Sequence, residues 1–112
     1  AFFKSSALTT INFPLLKVIP QDAFRAGYNG QLETIVLPKA ESFGASAFNA
    51  QVSIKTIELG ATPPSGALPS TFEDAALKGK NPAPKVIVPA SAVGAYGGAG
   101  TKWLGIFEVQ GK

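Results

Sequence analysis

Few side chains in this 112-residue chain could do chemistry. There is no histidine and no cysteine. Imidazole–nucleophile pairs, thiol catalysis and the usual nitrogen or sulfur ligands for metals therefore cannot be assembled. Disulfides are excluded on the same ground, and the compartment cannot be read from redox state. Acid–base work would fall to seven carboxylates: Asp22, Glu33, Glu41, Glu58, Glu73, Asp74 and Glu108. Only Glu73 and Asp74 are adjacent. On a helical turn after Phe72 they would support the helix N-terminus rather than share a proton. No catalytic, cofactor-binding or metal-binding residue is assigned, and the chain reads as a non-enzyme.

The segment from Gly94 to Lys102 has the glycine content of a phosphate-cradling loop. Its order is wrong, because that motif needs Gly-Lys-Ser/Thr opening a helix, and here Thr101 precedes Lys102. A calcium-type Gly-Gly-x-Gly-x-Asp repeat fails too, since Lys102 stands where the Asp is required. A flexible turn is the reading that remains.

The elements that must position any site come from composition and spacing. Hydrophobic residues make up 46% and charged residues only 15%, with 12 Gly and 9 Pro. A core is affordable in one domain, and many short elements between turns are favoured over long helices. The net charge of +3 comes from cations scattered between Lys4 and Lys112, densest at Lys78, Lys80 and Lys85. A nucleic-acid surface concentrates its cations, so this is solubilising charge. No apolar run approaches the ~20 residues of a membrane span.

Two patterns repeat in phase. A Phe-terminated pair recurs as Ala1-Phe2, Ala23-Phe24, Ala47-Phe48 and Thr71-Phe72, at steps of 22, 24 and 24 residues. An apolar-x-x-Ile-x-apolar unit recurs from Leu8 through Ile11 to Phe13, from Leu32 through Ile35 to Leu37, and from Ile54 through Ile57 to Leu59. A fourth version is Lys85-Val86-Ile87-Val88-Pro89. Apolar residues two apart share one face of a strand, and the Pro or Gly that follows stops it. A second apolar point follows at Val18-Ile19, Phe43 and Leu68. The Ala-rich Ala-Phe elements favour short helical turns, broken in the first unit by Gly27 and Asn29-Gly30. One such unit cannot stand alone, so units must stack into a solenoid.

Leu32, Ile35, Leu37-Pro38, Phe43-Gly44 and Ala47-Phe48 together resemble the BspA-like (Treponema pallidum-type) leucine-rich repeats. The first unit departs by having Ile19-Pro20 where Ile-Gly is usual. The third keeps only Phe72 of its pair and carries an insertion. Val88-Pro89, Val93, Tyr96 and Trp103 look like the closing segment of bacterial members, in which Val93, Tyr96 and Trp103 would cover the last coil. The resemblance implies a leucine-rich-repeat solenoid over 1–112, mainly β, with short parallel strands stacked in register. Repeats are expected at about 1–24, 25–48 and 49–84, with the insertion at 60–85 and a C-terminal cap at 85–112. The opening at Ala1-Phe2, with no polar lid before it, leads to the expectation of further coils or another cap upstream.

Outward residues of the strands then form the candidate binding face: Thr10, Asn12, Thr34, Val36, Thr56, Glu58, Lys85 and Ile87. Threonine also simply suits an exposed β position, and the face holds no aromatic or Arg anchor of the kind that dominates interfaces. The insertion around Pro63-Pro64 is a second candidate, as a stiff protruding segment, with a merely lengthened loop as the preferred reading. The family resemblance implies a non-catalytic protein-interaction or adhesion module of a secreted or cell-surface bacterial protein. Its partner would be a protein, with host or matrix proteins as examples, and no cofactor or nucleic acid is expected. The alternatives are a structural spacer or cap within a larger protein, and a carbohydrate-binding module.

Overall fold

The computed structural model describes residues 9–24, 32–49, 51–68, 71–72, 77 and 83–112. Three short strands carry the repeated unit: β1 (Thr10–Asn12), β3 (Thr34–Val36) and β5 (Thr56–Glu58). In each, a buried isoleucine lies between two outward residues, as alternation along a strand requires. Between them lie β2 (Val18–Ile19) and β4 (Ser42–Phe43). The chain continues with β6 (Lys85–Val88), a 3₁₀ helix (Ala90–Tyr96), β7 (Lys102–Trp103) and β8 (Phe107–Gly111).

The main sheet runs β1-β3-β5-β6-β8-β7, parallel throughout except for β7. A second sheet pairs β2 with β4 in parallel and extends through a bridge from Ser42 to Ser65. A third line of contact bridges Phe48 to Phe72. The architecture is a mainly β solenoid of about three turns, with parallel strands stacked and little helix.

The interior follows the same register. Ile11, Ile35, Ile57, Val86 and Val109 are paired rung to rung, and all are buried. A second column is aromatic. Phe24, Phe48 and Phe72 stack at 5.3 Å between successive centroids, and Phe107 meets Phe72 edge-on at 4.9 Å. Burial of each large apolar side chain contributes ~1.5–3 kcal/mol, and each ring pair adds ~0.5–1.5 kcal/mol. Ala23 and Ala47 are buried beside the rings, where their small size lets coils approach closely.

Three local expectations are corrected. The Ala-Phe elements at 23–24 and 47–48 are not helical turns. They are tight turns through left-handed Asp22 (φ 57°) and Ser46 (φ 56°). Their amides bond across the stack, Asp22 N–H to Ala45 O and Phe24 N–H to Ala47 O, rather than along a helix. In the third coil, Leu68 is 57% exposed and is not the second apolar point. Ser65 takes that rung, with Gly66 beside Phe43. Gly66 has φ +76°, and a Cβ there would lie 2.5 Å from Phe43 O, so the backbone itself fills the place of a side chain. Pro64 is buried rather than protruding. Ala1-Phe2, Leu8, the Gly27 and Asn29-Gly30 breaks and Glu73-Asp74 lie outside the described residues.

The last stretch continues the ladder. Val109 follows Val86 by 23 residues, close to the 24 and 22 of the first two steps, and β8 returns parallel to β6 as a full rung. The 29-residue step from Ile57 to Val86 absorbs the insertion. Tyr96 and Trp103 are buried edge to face at 5.3 Å. Gly44 shows why glycine follows Phe43, since a Cβ there would collide with the Gln21 amide of the coil below.

Two buried polar groups tie coils together. Gln51 is 1% exposed. Its Oε1 accepts from Leu32 N–H at 3.2 Å, and its Nε2 donates to Phe24 O at 2.8 Å. Gln51→Leu strips a buried donor of its acceptor at Leu32, with an expected cost of ~1–3 kcal/mol. Urea unfolding should show a lower midpoint at an unchanged slope.

The Tyr96 hydroxyl donates to Gly60 O at 3.0 Å, and burial pushes its pKa from 10.0 up to about 12. The unfolded chain therefore loses this proton first as pH rises. The stabilisation is complete below pH 10 and disappears as pH climbs from 10 to 12. Urea midpoints of Tyr96→Phe should be lower than those of the parent at pH 8, and the difference should shrink by pH 12.

Candidate interaction face

The register that builds the core also builds the outer face. Thr10, Thr34, Thr56, Lys85 and Glu108 stand opposite one another in one row, and Asn12, Val36, Glu58, Ile87 and Gln110 in the next. All eight residues expected on this face are therefore brought together, and each is exposed or half-buried. At the ~4.8 Å separation of neighbouring strands, five rungs span roughly 19 Å, and the two rows lie ~7 Å apart.

Sequence reasoning missed the fifth rung, Glu108 and Gln110. The signal was present as Phe107-x-Val109, one period beyond Val86, but it was assigned to a closing lid. Lys112 was missed for the same reason. Its backbone N–H continues the ladder to Val88 O, and its ammonium reaches Glu58 Oε2 at 2.9 Å.

The two halves of the face differ electrostatically. In one half, Lys112 pairs with Glu58, and Lys85 Nζ donates to the neutral Gln110 Oε1 at 3.3 Å. At the margin Lys55 pairs with Glu33 at 3.4 Å. At the other end Thr10, Asn12, Thr34 and Thr56 make no side-chain hydrogen bond among the described residues. Their hydroxyl and amide groups face water with unused donors and acceptors. This patch is uncharged, rigidly spaced and polar.

Elsewhere the chemistry is closed off. In the glycine-rich loop, Gly97 N–H donates to Gly94 O, Gly98 N–H to Val93 O, Gly100 N–H to Val109 O and Thr101 N–H to Gly98 O. The Thr101 hydroxyl also donates to Gly98 O, at 2.6 Å. A phosphate nest needs successive free backbone donors, and here the chain's own carbonyls take four of them. Among the described residues no group of three or more carboxylates could hold a metal ion, and no helix is long and apolar enough to cross a membrane.

Compared with protein-family models, curated proteins and solved structures, the chain finds no match.

The Glu58–Lys112 pair joins the chain's last residue to β5 across β6. A double-mutant cycle with Glu58→Gln and Lys112→Gln should give a coupling of about 0.2–1 kcal/mol. The coupling, read from urea midpoints, should largely vanish at 1 M salt, where the Debye length is about 3 Å.

Proposed function

We propose that this chain is a non-catalytic protein-binding module whose contact surface is the outward face of β1, β3, β5, β6 and β8. The observation that carries the reading is the row Thr10, Thr34 and Thr56 with Asn12 beside it. These are exposed or half-buried polar groups held at fixed spacing and left without partners inside the described chain. A partner's polar groups meet donors and acceptors that need not first be released from internal bonds. Rigid spacing lowers the ordering cost on association.

The match of Leu32, Ile35, Leu37, Pro38, Phe43-Gly44 and Ala47-Phe48 to the BspA-like leucine-rich-repeat pattern supports the same class, as does the observed stacking of parallel strands. On that reading residues 85–112 end the solenoid as a capping coil. The protein is then a bacterial secreted or surface protein whose partner is a host or matrix protein. A spacer role is the second reading, favoured by the charged half of the face, where Glu58, Lys85 and Lys112 already satisfy one another or Gln110.

The test is biolayer interferometry against a panel of purified host and matrix proteins, with a glycan array in parallel. Saturable binding to a panel protein should weaken at least tenfold in the double variant Thr34→Arg/Thr56→Arg, while its thermal midpoint stays near the parent's. Binding unaffected by both substitutions would remove the strand face as the contact surface. Hits confined to the glycan array would move the module to carbohydrate recognition.

A further inference from the structure

Within the outer face, Glu58 has neighbours of a particular chemistry. It stands directly between Val36 on β3 and Ile87 on β6, and all three are half-buried. A carboxylate is thereby set between two aliphatic side chains, each one strand spacing of ~4.8 Å away. A lysine or arginine side chain matches that arrangement. Its apolar stem lies along aliphatic surface while its charged head stays at the water boundary. A small inorganic cation finds only the carboxylate.

The chain itself places such a side chain there. Lys112 follows β8, its backbone N–H donates to Val88 O, and its ammonium crosses β6 to reach Glu58 Oε2 at 2.9 Å. Two neighbouring lysines are turned elsewhere, Lys55 to Glu33 and Lys85 to Gln110. The Glu58–Lys112 pair is open to exchange. The side chains of Glu58 and Lys112 are 27% and 51% exposed, and Glu58 Oε1 has no partner among the described residues. An exposed ion pair favours contact over separation by only about 1.5- to 5-fold. A cation arriving from outside displaces Lys112 at little loss, because the released ammonium returns to water.

We propose that Glu58, flanked by Val36 and Ile87, receives a lysine or arginine side chain of the partner protein, and that Lys112 is the displaceable occupant of the same position. The inference rests on the protein-binding reading of this face and adds the partner's chemistry to it. Charge complementarity selects the occupant: a basic side chain gains the Glu58 carboxylate, and an acidic one is repelled by it. The position also adjoins the uncharged patch, since Thr56 lies two residues before Glu58 on β5 and Asn12 lies beyond Val36 in the same row. The partner segment therefore pairs a basic residue at β5 with polar groups over Thr10, Thr34 and Thr56. Lys112 sets a threshold. A lone cation must compete with it, whereas a segment that also engages the hydroxyls has further contacts with which to displace it, and this raises specificity.

Titration of the full chain with n-butylammonium chloride, followed by backbone amide NMR, tests the receptor without the partner. Sodium chloride is withdrawn in step, so ionic strength stays at about 0.1 M and screening does not change. Shifts should concentrate at Val36, Glu58 and Ile87, exceed those at Glu33 and Glu108, and exceed those produced by ammonium chloride. Lys112→Gln should raise the apparent affinity about two- to sixfold by removing the competitor, and Glu58→Gln should abolish the confined shifts. Thermal midpoints check that both variants are folded; should either fail to fold, the comparison of Glu58 with Glu33 and Glu108 in the parent decides. Equal shifts at all three carboxylates, an equal response to ammonium, or indifference to Lys112→Gln in a folded variant would each overturn the proposal. In interferometry, a panel protein that is lost in Thr34→Arg/Thr56→Arg but still binds Glu58→Gln keeps the face and overturns the receptor. Butylammonium shifts confined to Glu58, with no panel protein bound, support the receptor and count against the protein-binding reading alone.

Discussion

Everything in this molecule depends on the hydrogen bonds and side-chain columns that run from one coil to the next. A coil of some two dozen residues closes too little surface to hold its own shape, since each residue fixed costs ~1–2 kcal/mol of backbone entropy. What it lacks internally it obtains from its neighbours along three lines of contact: the main sheet, the β2–β4 sheet and the Phe48–Phe72 bridge. Even the turns obey this rule. Asp22 and Ser46 adopt left-handed backbone so that the amides around them reach carbonyls one coil away or close a tight turn locally. A helical turn would have directed the same amides back along the chain and left the stack without them.

That constraint separates the residues that specify the fold from those free to specify function. Inward positions must be apolar and near-constant in size, because every rung sits on another. Outward positions meet only water and one another. The result is a face whose spacing is dictated by the backbone and whose chemistry is open to choice. Here it runs from hydroxyl and amide groups at β1, β3 and β5 to engaged charges toward β8.

The parts legible in the sequence were those the period controls. Ile11, Ile35 and Ile57 recur because each is the central inward residue of a strand, and Pro14, Pro38 and Gly60 mark where strands end. From these and the fourth unit at Val86 the stacking of coils and all eight outward residues of the candidate face could be placed, while the parallel direction came from the resemblance. Harder to see were features decided by one coil's backbone meeting another's. Gly66 replaces an apolar side chain because Phe43 O occupies that volume, so a search for a hydrophobic residue passed over it to Leu68. Gln51 is polar and belongs to neither repeated pattern, yet it bridges Leu32 and Phe24 from inside. The turns at Asp22 and Ser46 were masked by alanine's helix propensity, a weak preference that stacking overrides.

The fifth rung shows how local composition can hide topology. Glycine and aromatic residues between Gly94 and Trp103 read as a lid, and the apolar run after them as its hem. Yet Phe107-x-Val109 carries the same inward spacing as every earlier strand, and it arrives one period after Val86. Its pairing with β6 is parallel, as in the other rungs, while β7 folds back antiparallel and engages the outer side of β8. One short reversal of direction thus gives the outer side of β8 a strand partner. The opposite edge has no such reversal among the described residues. Among the described residues the sheet is therefore parallel everywhere but at this one reversal, and it is the reversal, rather than any single side chain, that engages the outer side of the fifth rung.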